Sequence, residues 1–275
     1  MIRQGDIMKK TWQYLGHHIL LNIFFITFIL FSAIASASKS SNQLKAHKIQ
    51  DEIVIDGIAS EKSWDLSSWQ PLDNLIMGTQ PTEEDFSGQF KVMWNEDHLF
   101  LLVEITDDIL FDQHADPLYR YWDDDCLEIF IDEDASGGDH QFTFNAFAYH
   151  IALDNQVVDI GPKNKDGSTN FVLLNEHIDS VWRRSTSKPN KIIWEVALSV
   201  FDDSFTLLPD NKKDRHQAVK LTRGKKMGFM LAYCDNDGSK ERESFIGSTD
   251  IEAVNGSKNL GYITADVFQQ LLLIQ

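Results

Sequence analysis

From residue 50 onward the sequence almost never keeps apolar residues in helical register for more than a turn. It offers short β-branched and aromatic runs instead, broken by clusters of Asp, Asn, Gly and Pro. A chain of this kind cannot build amphipathic helices long enough to bury one another, so it must pair strands. The pattern predicts strands over 52–55, 89–94, 99–106, 126–132, 141–148, 149–153, 171–175, 180–185, 191–198, 228–234, 243–246 and 260–264. Short helical turns are expected only near 60–66, 198–202 and 265–272. Ten or more short strands with turn signals between them predict an all-β fold, a jelly-roll-like sandwich of two antiparallel sheets. The run over 99–106 is almost wholly apolar, which predicts a strand covered on both faces.

The first 37 residues stand apart. Arg3, Lys9 and Lys10 precede an apolar stretch over 19–34, and Ala35-Ser36-Ala37 supplies small residues where a signal peptidase cuts. The expectation is an exported protein, secreted or periplasmic, with no membrane insertion after cleavage. Residues 38–49 then read as a flexible lead-in, 50–266 as one domain and 267–275 as a tail. The polar segments 164–170 and 209–218 have loop composition. With 42 acidic against 25 basic residues the chain carries a net charge of −17, which repels phosphate backbones and argues against nucleic acid. Two cysteines do not make a disulfide framework. Cys126 and Cys234 lie inside apolar runs and read as buried free thiols.

Several residues suggest chemistry on their own terms. Asp56-Gly57 is a turn signal. Trp64, Trp69, Trp94, Trp182 and Trp194 sit where core packing is the ordinary fate of an indole. Trp122 differs, because it closes a polar, turn-like segment just before a strand. An exposed indole there offers a flat apolar platform for the C–H face of a sugar ring. Alternation along 126–132 puts Leu127, Ile129 and Ile131 on one face and Cys126, Glu128, Phe130 and Asp132 on the other. A mid-strand Glu128 must therefore be ion-paired or face a wet cleft. Asp235-Asn236-Asp237-Gly238 followed by Glu241 gathers hard oxygen donors around a glycine turn, a calcium-like arrangement. Asp107, Asp108, Asp123, Asp124, Asp125, Asp132, Asp134 and Asp139 are further donors in predicted loops.

Three stretches carry a resemblance. They are IVIDGIASEKSW at 53–64; FKVMWNEDHLFLLVEITDDIL at 90–110 with WDDDCLEIFIDED at 122–134; and IIWEVALS at 192–199 with GFMLAYCDNDGSKERES at 228–244 and LGYITAD at 260–266. In order and spacing these resemble the family 9 carbohydrate-binding modules over nearly all of 50–266. The resemblance implies a non-catalytic two-sheet sandwich that binds sugar on a concave face and calcium in its loops. It also implies a role in polysaccharide catabolism, since such modules travel with xylanases, with xylan- or glucan-derived oligosaccharides as partners. Trp122 would be one half of a two-tryptophan clamp, and Glu128, Gln141 and Asn145 would meet sugar hydroxyls. The family's arginine is replaced by Thr143, and its second clamp tryptophan falls at Ser248. Phe245, Tyr119 or Tyr121 would have to supply that second platform. The expected calcium ligands are Asp107, Asp132, Asp235, Asp237 and Glu241.

No catalytic constellation is present: no nucleophile elbow, no His-Glu-x-x-His helix, no glycine-rich phosphate loop. A haem-binding sandwich would need axial ligands such as Met93, Met227, Met230 or His150, which are candidates by residue type alone. The remaining rival is a cell-envelope scaffold, interacting with other envelope proteins, that keeps the sandwich and has lost the sugar site.

Overall fold

A computed structural model describes residues 43–207 and 217–275; the expected signal peptide and most of the 209–218 loop lie outside the described residues. The strands are β1 Leu44–Lys48, β2 Gln70–Leu72, β3 Asn74–Gly78, β4 Phe86–Trp94, β5 Leu99–Asp107, β6 Cys126–Asp132, β7 Phe147–Ala152, β8 Val157–Gly161, β9 Asn170–Leu173, β10 Ile178–Arg184, β11 Lys191–Leu198, β12 Lys226–Asp235, β13 Ser244–Gly247 and β14 Gln269–Ile274. Among the described residues the only helical elements are short 3-10 turns. The mostly-β expectation holds, but the ladder is one continuous sheet rather than two. Its main path runs β10-β11-β5-β4-β1-β14-β12-β6-β7-β8-β9.

The seam is β1, which pairs in parallel with both β14 and β4. This makes the sheet mixed instead of antiparallel. The sheet curls so that β4 and β12, which are not ladder neighbours, face each other: Phe90 and Phe229 have ring centroids 5.9 Å apart, and Phe86 stacks on Tyr233 at 5.4 Å. One large core fills the space between, with Leu101 and Val103 of β5, Leu127 and Ile129 of β6, and Leu231 of β12.

Three local expectations give way to this seam. The lead-in at 38–49 contains β1, whose Leu44 and Ala46 are buried; only two apolar residues at period 2 mark it in the sequence. The expected tail and terminal helix become a 3-10 turn, Ala265–Val267, followed by β14, in which Leu271 and Leu273 alternate into the core. Segments 52–55 and 260–264 are not strands; Ile53 instead packs with Trp64 and Phe100 in a smaller cluster behind the sheet. That cluster, with Leu102, covers the second face of β5, as its composition predicts. The thiols of Cys126 and Cys234 are free and buried.

A buried carboxylate anchors the Asp56-Gly57 turn. Glu195 of β11 accepts the N–H groups of Asp56 at 3.1 Å and Gly57 at 2.9 Å, and the Trp64 indole N–H at 3.3 Å. Gly57 has φ +75°, and a Cβ there would meet Arg183 at 2.8 Å, so the turn needs glycine twice over.

His177 is buried among Phe147, Tyr149, Phe201 and Phe205, with Nδ1 2.8 Å from the Tyr149 hydroxyl. Burial pushes its pKa down from 6.5 to about 4. Between those values the unfolded chain takes up a proton that the native chain refuses. Stability present above pH 6.5 is therefore lost as the pH falls toward 4, by on the order of 3 kcal/mol. Urea denaturation across this window should show wild type losing its advantage over His177→Gln toward acid pH; a constant gap would refute this assignment.

Candidate functional site

The face of β6 turned away from the main core carries Cys126, Glu128 and Phe130, as alternation predicts. Above this face lies a cavity of about 300 Å³, lined by Tyr121, Trp122, Glu128, Gln141, His150, Ile160, Thr169, Phe171, Arg242, Asn259 and Tyr262. Trp122 and Tyr121 come from a 3-10 turn, Tyr121–Asp123, that follows Arg120 in a left-handed conformation, φ 50°. Trp122 is half-buried. Its ring sits 5.7 Å from Phe171 and 5.1 Å from Tyr121, which meets it edge-on at 76°.

At the base lies the buried carboxylate of Glu128. His150 Nε2 is 2.8 Å from its Oε1, Arg242 Nη1 donates to the same oxygen at 3.2 Å, and the Cys234 thiol donates at 3.0 Å. Burial alone would raise this carboxyl, but His150 and Arg242 outweigh it and hold the pKa below the usual value. The charge that sequence reasoning required to be either paired or wet is paired: three partners share Oε1 of a side chain that is buried at the base of the cavity.

Of the residues expected at the site, Tyr121, Trp122, Glu128 and Gln141 converge on the cavity. Asn145 and Thr143 do not line it. Asn145 donates its amide to Gly137 O at 2.9 Å, and Thr143 Oγ1 accepts from Asn145 N, so both brace their own loop. Phe245 is buried beneath, with the Arg242 guanidinium 4.3 Å from its ring centroid, and so offers no platform. Tyr119 is exposed and packs edge-on against His114. Ser248 holds the backbone N–H of Leu231 at 3.0 Å. The other aromatics at the cavity are Phe171 and Tyr262, and its cation is Arg242, from the β12–β13 loop rather than from position 143. Arg242 lay in a polar turn, KERES, where a solvated charge is the ordinary expectation.

At the far end of β12 a second cluster forms. Carboxylate oxygens of Asp107, Asp125 and Asp235 lie within 4.8 Å of one another, as do those of Asp85, Asp235 and Asp237. Asp107 Oδ1, Asp235 Oδ1 and Asp237 Oδ1 are buried without hydrogen-bond partners. Burial, with mutual repulsion, raises Asp125 to about 9, Asp235 to about 7, and Asp107 and Asp237 to about 6. Carboxylates converging from four segments, three of them with an orphaned buried oxygen, fit a hard cation. Asp107, Asp235 and Asp237 belong to this group. Asp132 does not, because it accepts from Gly137 N at the opposite end of β6, and Glu241 pairs instead with Arg120 at 3.3 Å. Asp85, in the loop before β4, was not legible as a donor.

A family model described as carbohydrate family 9 binding domain-like matches residues 55–275. Two solved structures of a family 9 carbohydrate-binding module from Caldicellulosiruptor kristjanssonii are similar in fold. The one in complex with cellotriose has a TM-score of 0.58 and 17% identity, covering 84% of this chain and 93% of its own. The one in complex with glucose has a TM-score of 0.55 and 18% identity, covering 83% and 95%. No curated protein matches the chain.

The buried pair generates a direct test. Arg242→Ala leaves Glu128 short of a partner, with both side chains at most 7% exposed, and should cost about 3–5 kcal/mol in urea denaturation. A loss below about 1 kcal/mol would mean that the pair behaves as a solvated one.

Proposed function

The chain belongs to the carbohydrate family 9 binding domain-like family, whose members are non-catalytic carbohydrate-binding modules, and we propose that it holds a gluco-oligosaccharide in the cavity beside Trp122. The carrying observation is the pairing of a half-buried indole with a buried, ion-paired carboxylate in one cavity. The ring face of Trp122 stacks on the sugar's C–H face. All three partners of Glu128 fall on Oε1, which leaves Oε2 to accept a sugar hydroxyl. Arg242, Gln141 and Asn259, all in the cavity lining, supply donors. The cavity's volume sits at the lower end of the ~300–1,000 Å³ range of small-ligand sites. Cellotriose and glucose, found in the structures of similar modules, are the first ligands to try, and xylan-derived oligosaccharides the next. An open cavity around Trp122, with Phe130 and Phe245 packed below it, favours binding over a purely scaffolding role.

Calcium completes the reading. Asp107, Asp125, Asp235 and Asp237, with Asp85, would hold it, and its charge would relieve the repulsion among them. Export, with cleavage near Ala37, is the matching expectation for location.

Titration calorimetry of the calcium-loaded protein with cellotriose should give a saturable heat, and Trp122→Ala should weaken binding by roughly 10-fold, about 1.4 kcal/mol, within the range for aromatic contacts. No heat with cellotriose, glucose or a xylo-oligosaccharide would sink the proposal. Calcium at about 100 times its dissociation constant should add roughly 2.7 kcal/mol of stability over chelator-treated protein, and Asp235→Asn should lose that response. Identical melting with calcium and with chelator would exclude the ion.

A further inference from the structure

We propose that the base of the cavity is a second metal site, for a borderline-soft divalent ion such as zinc, built by Cys126, Glu128, His150 and Cys234. The cross-strand register assembles it. Cys126 of β6 lies opposite Cys234 of β12, and Glu128 of β6 lies opposite His150 of β7. Cys126 and Glu128 are two residues apart and share a face, so three neighbouring strands deliver four donors to one spot.

The geometry is close. The Cys126 sulfur, a Glu128 oxygen and a His150 nitrogen all lie within 4.8 Å of one another. The Cys234 sulfur, on the residue directly opposite Cys126 in the ladder, is 3.0 Å from Glu128 Oε1. Small side-chain rotations bring such donors to the ~2.0–2.3 Å bonds of a zinc shell. Mixed sulfur, nitrogen and oxygen ligands select zinc-like ions, whereas the all-carboxylate cluster at the end of β12 suits calcium. The two sites are thus separated by donor hardness.

The surroundings fit an ion as well. His150 Nδ1 faces the Ala148 carbonyl at 3.4 Å, and the Tyr121 ring meets the imidazole edge-on at 4.6 Å. A carbonyl on one ring nitrogen is the usual way a ligand histidine is oriented, with the other nitrogen left for the metal. Arg242 Nη1 lies 2.9 Å from Cys234 Sγ. Two thiolates and the Glu128 carboxylate balance a divalent ion and this guanidinium, so the loaded cluster is neutral in its buried setting. Binding replaces the two S–H bonds with S–metal bonds, and the protons leave to solvent. Glu128 and His150 line the cavity, so the ion enters from there. The inference does not rest on sugar binding, although both uses share Glu128.

Cobalt(II) is the probe. The reduced, calcium-saturated full chain, titrated with cobalt(II) chloride, should develop a thiolate-to-cobalt charge-transfer band in the near ultraviolet that saturates at one ion per chain. An ion in the carboxylate cluster cannot give that band. Zinc should bleach it and should protect both cysteines from alkylation. Cys126→Ser and His150→Ala should weaken zinc binding at least about 10-fold, while Trp122→Ala should leave the band intact. Cobalt binding without a thiolate band in the wild-type protein overturns the proposal whatever the variants do. So does a band of undiminished intensity, with zinc affinity unchanged, in folded Cys126→Ser.

Discussion

A strand buried on both faces leaves no wet side on which to place a charge, and β6 is such a strand from Cys126 to Asp132. Its inner face belongs to the core shared with β4, β5 and β12, and its outer face lies under the 242–262 loops and β13. Glu128 sits in the middle of that outer face. Burying a lone carboxylate would cost more than most single interactions return. The fold therefore has to bring partners to it, and it brings the His150 imidazole from the next strand and the Arg242 guanidinium from a loop more than a hundred residues away. The cavity opens over this group, with Glu128, His150 and Arg242 all in its lining.

The same constraint explains what could be read in advance. Alternation along 126–132 and the nearly continuous apolar run of β5 fix which residues face which way, because each side chain there has one acceptable direction. Glu128 and Trp122 stood out for the same reason, as residue types that break a local rule. Arg242, Tyr262 and Phe171 break no local rule. An arginine in a polar turn and aromatics beside strands look ordinary until tertiary contacts set them against Glu128 and Trp122. The seam was hidden for a related reason. In β1 only Leu44 and Ala46 are apolar, so its strand character comes from parallel ladders to β4 and β14 rather than from its own composition. Without that strand the expectation divides naturally into two sheets; with it, they are one.

The two clusters of ionisable groups are mechanically joined through a single short segment. The 3-10 turn that presents Tyr121 and Trp122 to the cavity runs directly into Asp125, whose oxygens accept from Phe111 N at 2.6 Å and Asn236 N at 2.8 Å. Asn236 in turn donates its amide to Asp123 O at 2.6 Å, and Arg242 N reaches Asp123 Oδ1 at 3.3 Å. The platform Trp122 and the cation Arg242 thus both hang from a knot whose other side is the Asp107, Asp125 and Asp235 carboxylates. Burial and mutual repulsion raise the pKa values of those carboxyls, so the side of the knot away from the cavity carries an unfavourable cluster. A cation bound there would neutralise those carboxylates without touching a ligand in the cavity. Its effect on binding would be preorganisation: less ordering is left for the sugar to impose, and more of the stacking energy remains as affinity. On the proposed reading the hard-oxygen cluster would fasten the site from the strand end, and recognition would stay over Glu128.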